Sequence, residues 1–91
     1  METLFDVVEC KVILAIAEEG SFSATAKRLH YTQSGITHMM CRLENMLGFK
    51  LWVRCKGGVR LSDEGEALFP AIRRFLDCYD ELEKQAAGYC R

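Results

Sequence analysis

Three stop-and-restart points between residues 20 and 48 constrain this chain more than any other feature: Gly20-Ser21, His30-Tyr31-Thr32, and Gly48. Glycine suits the position just past a helix end, and a Ser or Thr hydroxyl suits an N-cap because it accepts an orphaned N–H of the first turn. Ahead of Gly20, Val7, Cys10, Ile13, Leu14 and Ala17 recur at three- and four-residue spacing with Glu9, Lys11 and Glu18 between them, which predicts an amphipathic first helix. After Ser21, Phe22, Ala26 and Leu29 give one apolar edge and a short second helix over about 23–29. After Thr32, Ile36, Met40, Leu43 and Leu47 step by fours and threes to Gly48, the clearest helix in the chain, over 32–47.

Beyond Gly48 the period changes. Phe49-Lys50-Leu51-Trp52-Val53-Arg54 alternates, Val59-Arg60-Leu61 alternates again, and Gly57-Gly58 between them supplies the positive φ of a tight turn, so a two-stranded hairpin is expected. Ser62 then caps a helix whose first turn carries Asp63, Glu64 and Glu66, acids that favour the positive end of a helix dipole. Leu68, Ile72, Phe75, Tyr79, Leu82 and Ala86, widened by Phe69 and Leu76, extend this helix over about 25 residues, roughly 37 Å. Pro70 removes one of its backbone bonds, and a bend near Glu66 to Pro70 is expected. The fold class is therefore mostly α: a three-helix core containing a helix-turn-helix, a small β wing, and a long C-terminal helix. Residues 1–61 form the winged helix-turn-helix unit and 62–91 the long helix, within the single domain expected of 91 residues.

A net charge of −1 conceals a segregation. Residues 1–20 hold one base against five acids, and residues 62–91 four bases against seven acids. Residues 21–61 hold seven bases (Lys27, Arg28, Arg42, Lys50, Arg54, Lys56, Arg60) against Glu44 alone. A concentrated positive face suits a polyanion, because phosphate binding depends on local field and counterion release. The bland alternative is a solvated cationic surface.

The third helix has a face that such a partner would require. With Ile36, Met40, Leu43 and Leu47 inward, Ser34, His38, Cys41 and Asn45 point outward with Thr37 beside them, small and polar enough to enter a major groove. Gln33, near the start of that helix, is placed to meet an adenine edge or a phosphate, and Ser34, Thr37 and His38 to meet base edges. Ser21 and Thr32, beside free helix-start amides, and Arg54 and Lys56, flanking the hairpin tip, suit phosphates or the minor groove. Helix-start composition, a solvent-exposed histidine and solvated wing charge are the corresponding plain readings. Arg42 and Lys50 are candidates for salt bridges to Glu44 or to the long helix.

The stretch GSFSATAKRLHYTQSGITHMMCRLENMLGFKLWVR, followed by GGVRLSDEGEAL, resembles the N-terminal winged helix-turn-helix of LysR-type transcriptional regulators, without gaps from about residue 5 to about 85. The resemblance implies sequence-specific binding of double-stranded DNA by a homodimer. It also implies that 32–47 is the recognition helix, that Arg54 contacts phosphate from the wing, and that 62–87 is a linker helix that dimerises. Three positions depart from the family pattern: Ser34-Gly35 replaces Pro-Ala, His38 replaces Arg, and Trp52 replaces Phe. His38 removes the bidentate guanine contact an arginine would make, and Gly35 weakens the first turn by about 1 kcal/mol relative to Ala. The family's effector-binding domain is expected to be absent, since the chain stops at Arg91.

The apolar stripe of the long helix is longer than so small a domain can cover, and Leu68, Ile72, Phe75, Leu76, Tyr79 and Leu82 are assigned to the dimer face. The alternative has Phe75, Tyr79 and Leu82 packing back on the first helix of the same chain. Neither a long apolar run nor a basic, then apolar, N-terminus occurs, so a cytoplasmic protein with no membrane partner is expected. Five cysteines, at 10, 41, 55, 78 and 90, show no metal spacing and read as reduced thiols. No catalytic motif, metal site or cofactor is indicated. The competing classes are a pure interaction module and a thiol sensor using Cys41 or Cys55.

Overall fold

A computed structural model describes residues 4–89. In chain order it contains α1 (Val7–Glu19), α2 (Phe22–Leu29), α3 (Gln33–Leu47), β1 (Trp52–Cys55), β2 (Gly58–Leu61) and α4 (Asp63–Ala87). The architecture is the expected winged helix-turn-helix with a long C-terminal helix. Ser21, Thr32 and Ser62 are the N-caps of α2, α3 and α4, accepting from the backbone N–H of Ala24, Gly35 and Gly65. Asp6 caps α1 in a reciprocal box with Glu9, a pairing that the apolar periodicity of this segment does not reveal. His30 closes α2 in the left-handed region at φ 62, the one non-glycine among the described residues to do so.

The expected stripe on α1 is corrected. Cys10, Val12, Ile13, Ala15 and Ile16 are buried, whereas Ala17 is exposed and Val7 and Leu14 are half-buried. The reason is position: α1 packs against α2 and against α4, so it buries a broad surface rather than one stripe. Ile36, Met40, Leu43, Leu51, Trp52 and Leu61 complete the core around it.

The hairpin is shorter than the alternation suggested, because Lys50 and Leu51 have their hydrogen bonds elsewhere. The Glu44 carboxylate, buried at the C-terminal end of α3, accepts from the backbone N–H of Leu51 at 2.7 Å and of Trp52 at 3.1 Å. Ser62 closes the other side: its N–H donates to the Leu51 carbonyl at 2.8 Å and its hydroxyl to the Lys50 carbonyl. The strands then pair antiparallel with Trp52 opposite Leu61 and Cys55 opposite Gly58. Gly57, at φ 87, forms the turn. Gly58 is a glycine for steric reasons, since a Cβ there would overlap the Gly20 carbonyl oxygen, to which the N–H of Val59 donates at 2.9 Å. The wing is thus latched to the turn that precedes α2.

α4 runs continuously through Pro70, and its 25 residues span about 37 Å of a molecule whose longest dimension is 47 Å. It meets α1 through Ile72 and Leu76, which are buried in the chain's own core, with Leu68 and Phe69 half-buried beside them. The assignment of Ile72 and Leu76 to a dimer face is therefore corrected: the chain's own core already buries them. Tyr79 is half-buried, with the Lys11 ammonium 5.4 Å from its ring centroid. Phe75 and Leu82 remain 45% and 63% exposed.

Candidate nucleic-acid interface

α3 is held in place by two buried carboxylates, and its outer face is left free. At one end Glu44 grips the base of the wing, and Trp52 Nε1 donates to Met40 Sδ at 3.3 Å. On α1 the buried Glu9 accepts from Arg42 at 2.7 Å, joining the first helix to the third. Phe22 meets Trp52 edge-on, with centroids 6.3 Å apart, so α2, α3 and the wing share one aromatic joint.

Between these elements lies a groove of about 550 Å³. It gathers Ser21 from the start of α2, Gln33 and Thr37 from α3, and Arg54 from β1, four residues distant in sequence. A second, more open depression on α3 carries Gln33, Ser34, Thr37, His38 and Cys41. Gln33, Thr37 and Cys41 lie at the border of the two. Lys56 is exposed at the wing turn outside both, and Thr32 caps α3 with its hydroxyl oxygen 3.0 Å from the Gly35 N–H. Ser21 is likewise a cap, 3.0 Å from the Ala24 N–H, so both hydroxyl oxygens already accept one bond. Sequence reasoning passed over Ser23 and Lys50 as groove residues, whereas Cys41 lies where its place on the outward face of the third helix puts it.

The positive charge of residues 21–61 is redistributed by the fold. Arg28 is paired to Glu18 at 2.8 Å and Glu19 at 3.1 Å, and these bonds hold its guanidinium more firmly charged. Arg42 is paired to Glu9, not to Glu44 or α4, and Lys50 lies 3.9 Å from Glu44. Lys27, Arg54, Lys56 and Arg60 have no ion-pair partner among the described residues, and three of these four are on the wing. Strand alternation places Arg54 on the groove side with Trp52, and Arg60, opposite Val53, on the other. α3 carries no Asp, Glu, Lys or Arg from Gln33 to Cys41.

Cys10 is buried, and desolvation, followed by Asp6 and Glu9, pushes its thiol up to about 11. Cys41, Cys55 and Cys78 are exposed and free. Among the described residues no group of three or more His, Cys, Asp or Glu is placed to hold a metal ion, and no helix is long and apolar enough to cross a membrane.

A capped helix presented by two others, with a hairpin latched beside it, defines a winged helix-turn-helix protein. A family model described as bacterial regulatory helix-turn-helix protein, lysR family, matches residues 8–66, and the chain belongs to that family. It is similar to the HTH-type transcriptional regulator CzcR of Bacillus thuringiensis (strain Al Hakam), 31% identical over 83 residues that cover 91% of this chain and 28% of that protein. An uncharacterized HTH-type regulator in the ibpB-leuC intergenic region of Azotobacter vinelandii is 34% identical over 79 residues, covering 87% of this chain and 55% of that one. The chain thus spans between about a quarter and a half of the length of these relatives. Among solved structures, the CbnR DNA-binding domain in complex with DNA superposes with a TM-score of 0.82 at 33% identity, covering 96% of this chain and all of that one. Full-length CbnR with its target DNA gives a TM-score of 0.79 at 34% identity, covering 91% of this chain and 29% of that one.

Proposed function

We propose that this chain is the sequence-specific, double-stranded DNA-binding part of a cytoplasmic transcriptional regulator and acts as a homodimer. α3 enters the major groove, where Gln33, Ser34, Thr37 and His38 meet base edges. Arg54 and Lys56 hold the backbone or the adjacent minor groove, and Ser21 and Thr32 bring the first-turn amides of α2 and α3 to phosphates. Leu68, Phe75, Tyr79 and Leu82 supply the dimer contact.

The observation that carries this reading is the division of labour on one surface: a mostly exposed, small-polar helix face free of Asp, Glu, Lys and Arg beside a wing whose cations are unpaired within the described residues. A surface evolved for protein contact would carry apolar anchors at its centre, and those on the exposed side of α3 are missing. The relatives support the reading by what they are seen to bind, since CbnR is captured on DNA.

Selection from a random duplex pool tests it. A palindromic motif is the expected outcome, and recovery of no motif overturns the reading. Gln33→Ala should then relax preference at one or two positions, at about 1–3 kcal/mol on the best site, while leaving scrambled duplexes unaffected. Equal losses on cognate and scrambled duplexes would make Gln33 a phosphate contact instead.

A further inference from the structure

Histidine is the side chain whose charge ordinarily changes between about pH 5 and 8. α3 carries one on its outer face, His38. It is exposed in an open hollow of about 650 Å³ shared with Gln33, Ser34, Thr37 and Cys41. Its imidazole has no hydrogen-bond or ion-pair partner among the described residues. A helical side chain leans over the turn before its own Cα, which for His38 is the turn of Ser34 and Gly35, and glycine has no side chain there to cover the ring.

The hollow is lined by α3 alone: no side chain of α1, α2, α4 or the wing reaches it. Cys41 is the other titratable group in it, and no carboxylate lines it. On α3 itself, Arg42, one turn further on, is held by Glu9 of α1, and Glu44 is engaged by the Leu51 and Trp52 amides. α2, packed on α3, carries Lys27, Arg28 and His30, and Arg28 is paired to Glu18 and Glu19. The wing carries Lys50, Arg54, Lys56 and Arg60, of which Lys50 and Arg54 line the neighbouring groove with Thr37 and Cys41. The charges of α2, α3 and the wing left unpaired among the described residues are cations, so the free chain offers an imidazolium no anionic partner. A duplex does.

We propose that His38 reads a guanine as an imidazolium, so that each chain takes up a proton as it seats on its site and discriminates bases more sharply as pH falls. The proposal rests on the DNA-binding reading above and adds the form in which His38 acts and the base it selects. Neutral imidazole has one donor nitrogen and one acceptor nitrogen. The nitrogen that meets a base can then accept from the amino group of adenine or cytosine as well as donate to guanine. Imidazolium donates from both nitrogens and accepts at neither. It therefore fits guanine, which presents N7 and O6 as two acceptors in the major groove, and is opposed by the amino donors of adenine and cytosine. The proton comes from solvent and goes to the imidazole lone pair; no covalent bond of the base changes. A proton held more tightly in the complex than in the free chain makes affinity climb as pH falls, by at most about tenfold per pH unit for each chain bound.

The test is a pH series at fixed salt on the site recovered by selection at about pH 6, with circular dichroism confirming that each protein stays folded across the range. Between about pH 8 and 6 affinity should rise roughly tenfold or more, and the preference for guanine over adenine at one position of each half-site should grow with it. Calorimetry in two buffers of different ionisation enthalpy should count a net uptake approaching one proton per chain. His38→Arg, charged at every pH in the series, should keep the guanine preference and lose both the slope and the uptake. His38→Ala should lose all three, whereas His30→Asn, a residue that tolerates the left-handed end of α2, should keep all three. Affinity independent of pH with no proton uptake, or a slope that survives in His38→Ala, overturns the proposal and leaves the DNA-binding reading standing. An equal slope on cognate and scrambled duplexes, with no growth in guanine preference, makes His38 a phosphate contact and overturns it too. Recovery of no site at any pH overturns both.

Discussion

Glu44→Ala should be the most damaging single truncation outside the apolar core. The carboxylate accepts two backbone N–H groups, and the residues that own them, Leu51 and Trp52, are 0% and 7% exposed. Alanine leaves both donors without a partner, and an unsatisfied buried donor costs about 1–3 kcal/mol. Lys50, 3.9 Å away with a side chain 76% exposed, adds little. With some relief from water entering the vacated space, the loss is about 3 kcal/mol, against a total of roughly 5–14 kcal/mol for a domain of this size. The melting temperature should fall by roughly 12–24 °C. Glu44→Gln keeps a carbonyl acceptor in the same place and should lose about 1 kcal/mol. Thermal and urea unfolding of the three proteins, followed by circular dichroism, gives both numbers. An alanine variant within about 1 kcal/mol of the parent, or a glutamine variant as unstable as the alanine one, would refute the claim that Glu44 holds the wing by its two accepted bonds.

Gly58→Ala should break the latch between the wing and Gly20, so hydrogen exchange at the Val59 amide should accelerate more than that at Arg60; equal protection in parent and variant would count against the latch. Replacing Arg54 and Lys56 with alanine should weaken binding to every duplex and reduce the slope of log affinity against log salt by about one unit for each phosphate no longer neutralised, and an unchanged slope would remove the wing from the interface. Cys10 should make stability fall at alkaline pH. Below its ordinary value of 9.0 the thiol is protonated in both states, whereas between 9 and about 11 the unfolded chain releases a proton that the folded chain keeps. Stability therefore drops by roughly 2–3 kcal/mol across that window, and Cys10→Ala should lack this component in parallel pH titrations.

The helix boundaries were legible because each has a chemical marker: Ser21, Thr32 and Ser62 begin helices, and Gly20 and Gly48 end them. The outer face of α3 followed from periodicity alone, since Ile36, Met40 and Leu43 point to the core. Three features did not follow. The stripe on α1 is not legible because a helix with neighbours on two sides has no single apolar edge. Glu9 and Glu44 read as surface acids, and nothing local says that Arg42, 33 residues beyond Glu9, or the wing amides will bury them. The stripe on α4 reads as one face, whereas it contains two, Ile72 and Leu76 for α1 and Phe75 and Leu82 for solvent, roughly 60–120° apart around the helix.

The stretch of α3 from Gln33 to Cys41, free of Asp, Glu, Lys and Arg, has a consequence for how such a protein changes over generations. On the proposed mode of binding, attraction to the polyanion resides in the wing, and discrimination resides in the small polar side chains of α3. A substitution at Ser34 or His38 then alters which site is held longest, while the rate at which any duplex is encountered and scanned stays where the wing sets it. Target choice can drift in small steps without a period of poor DNA search between one operator and the next.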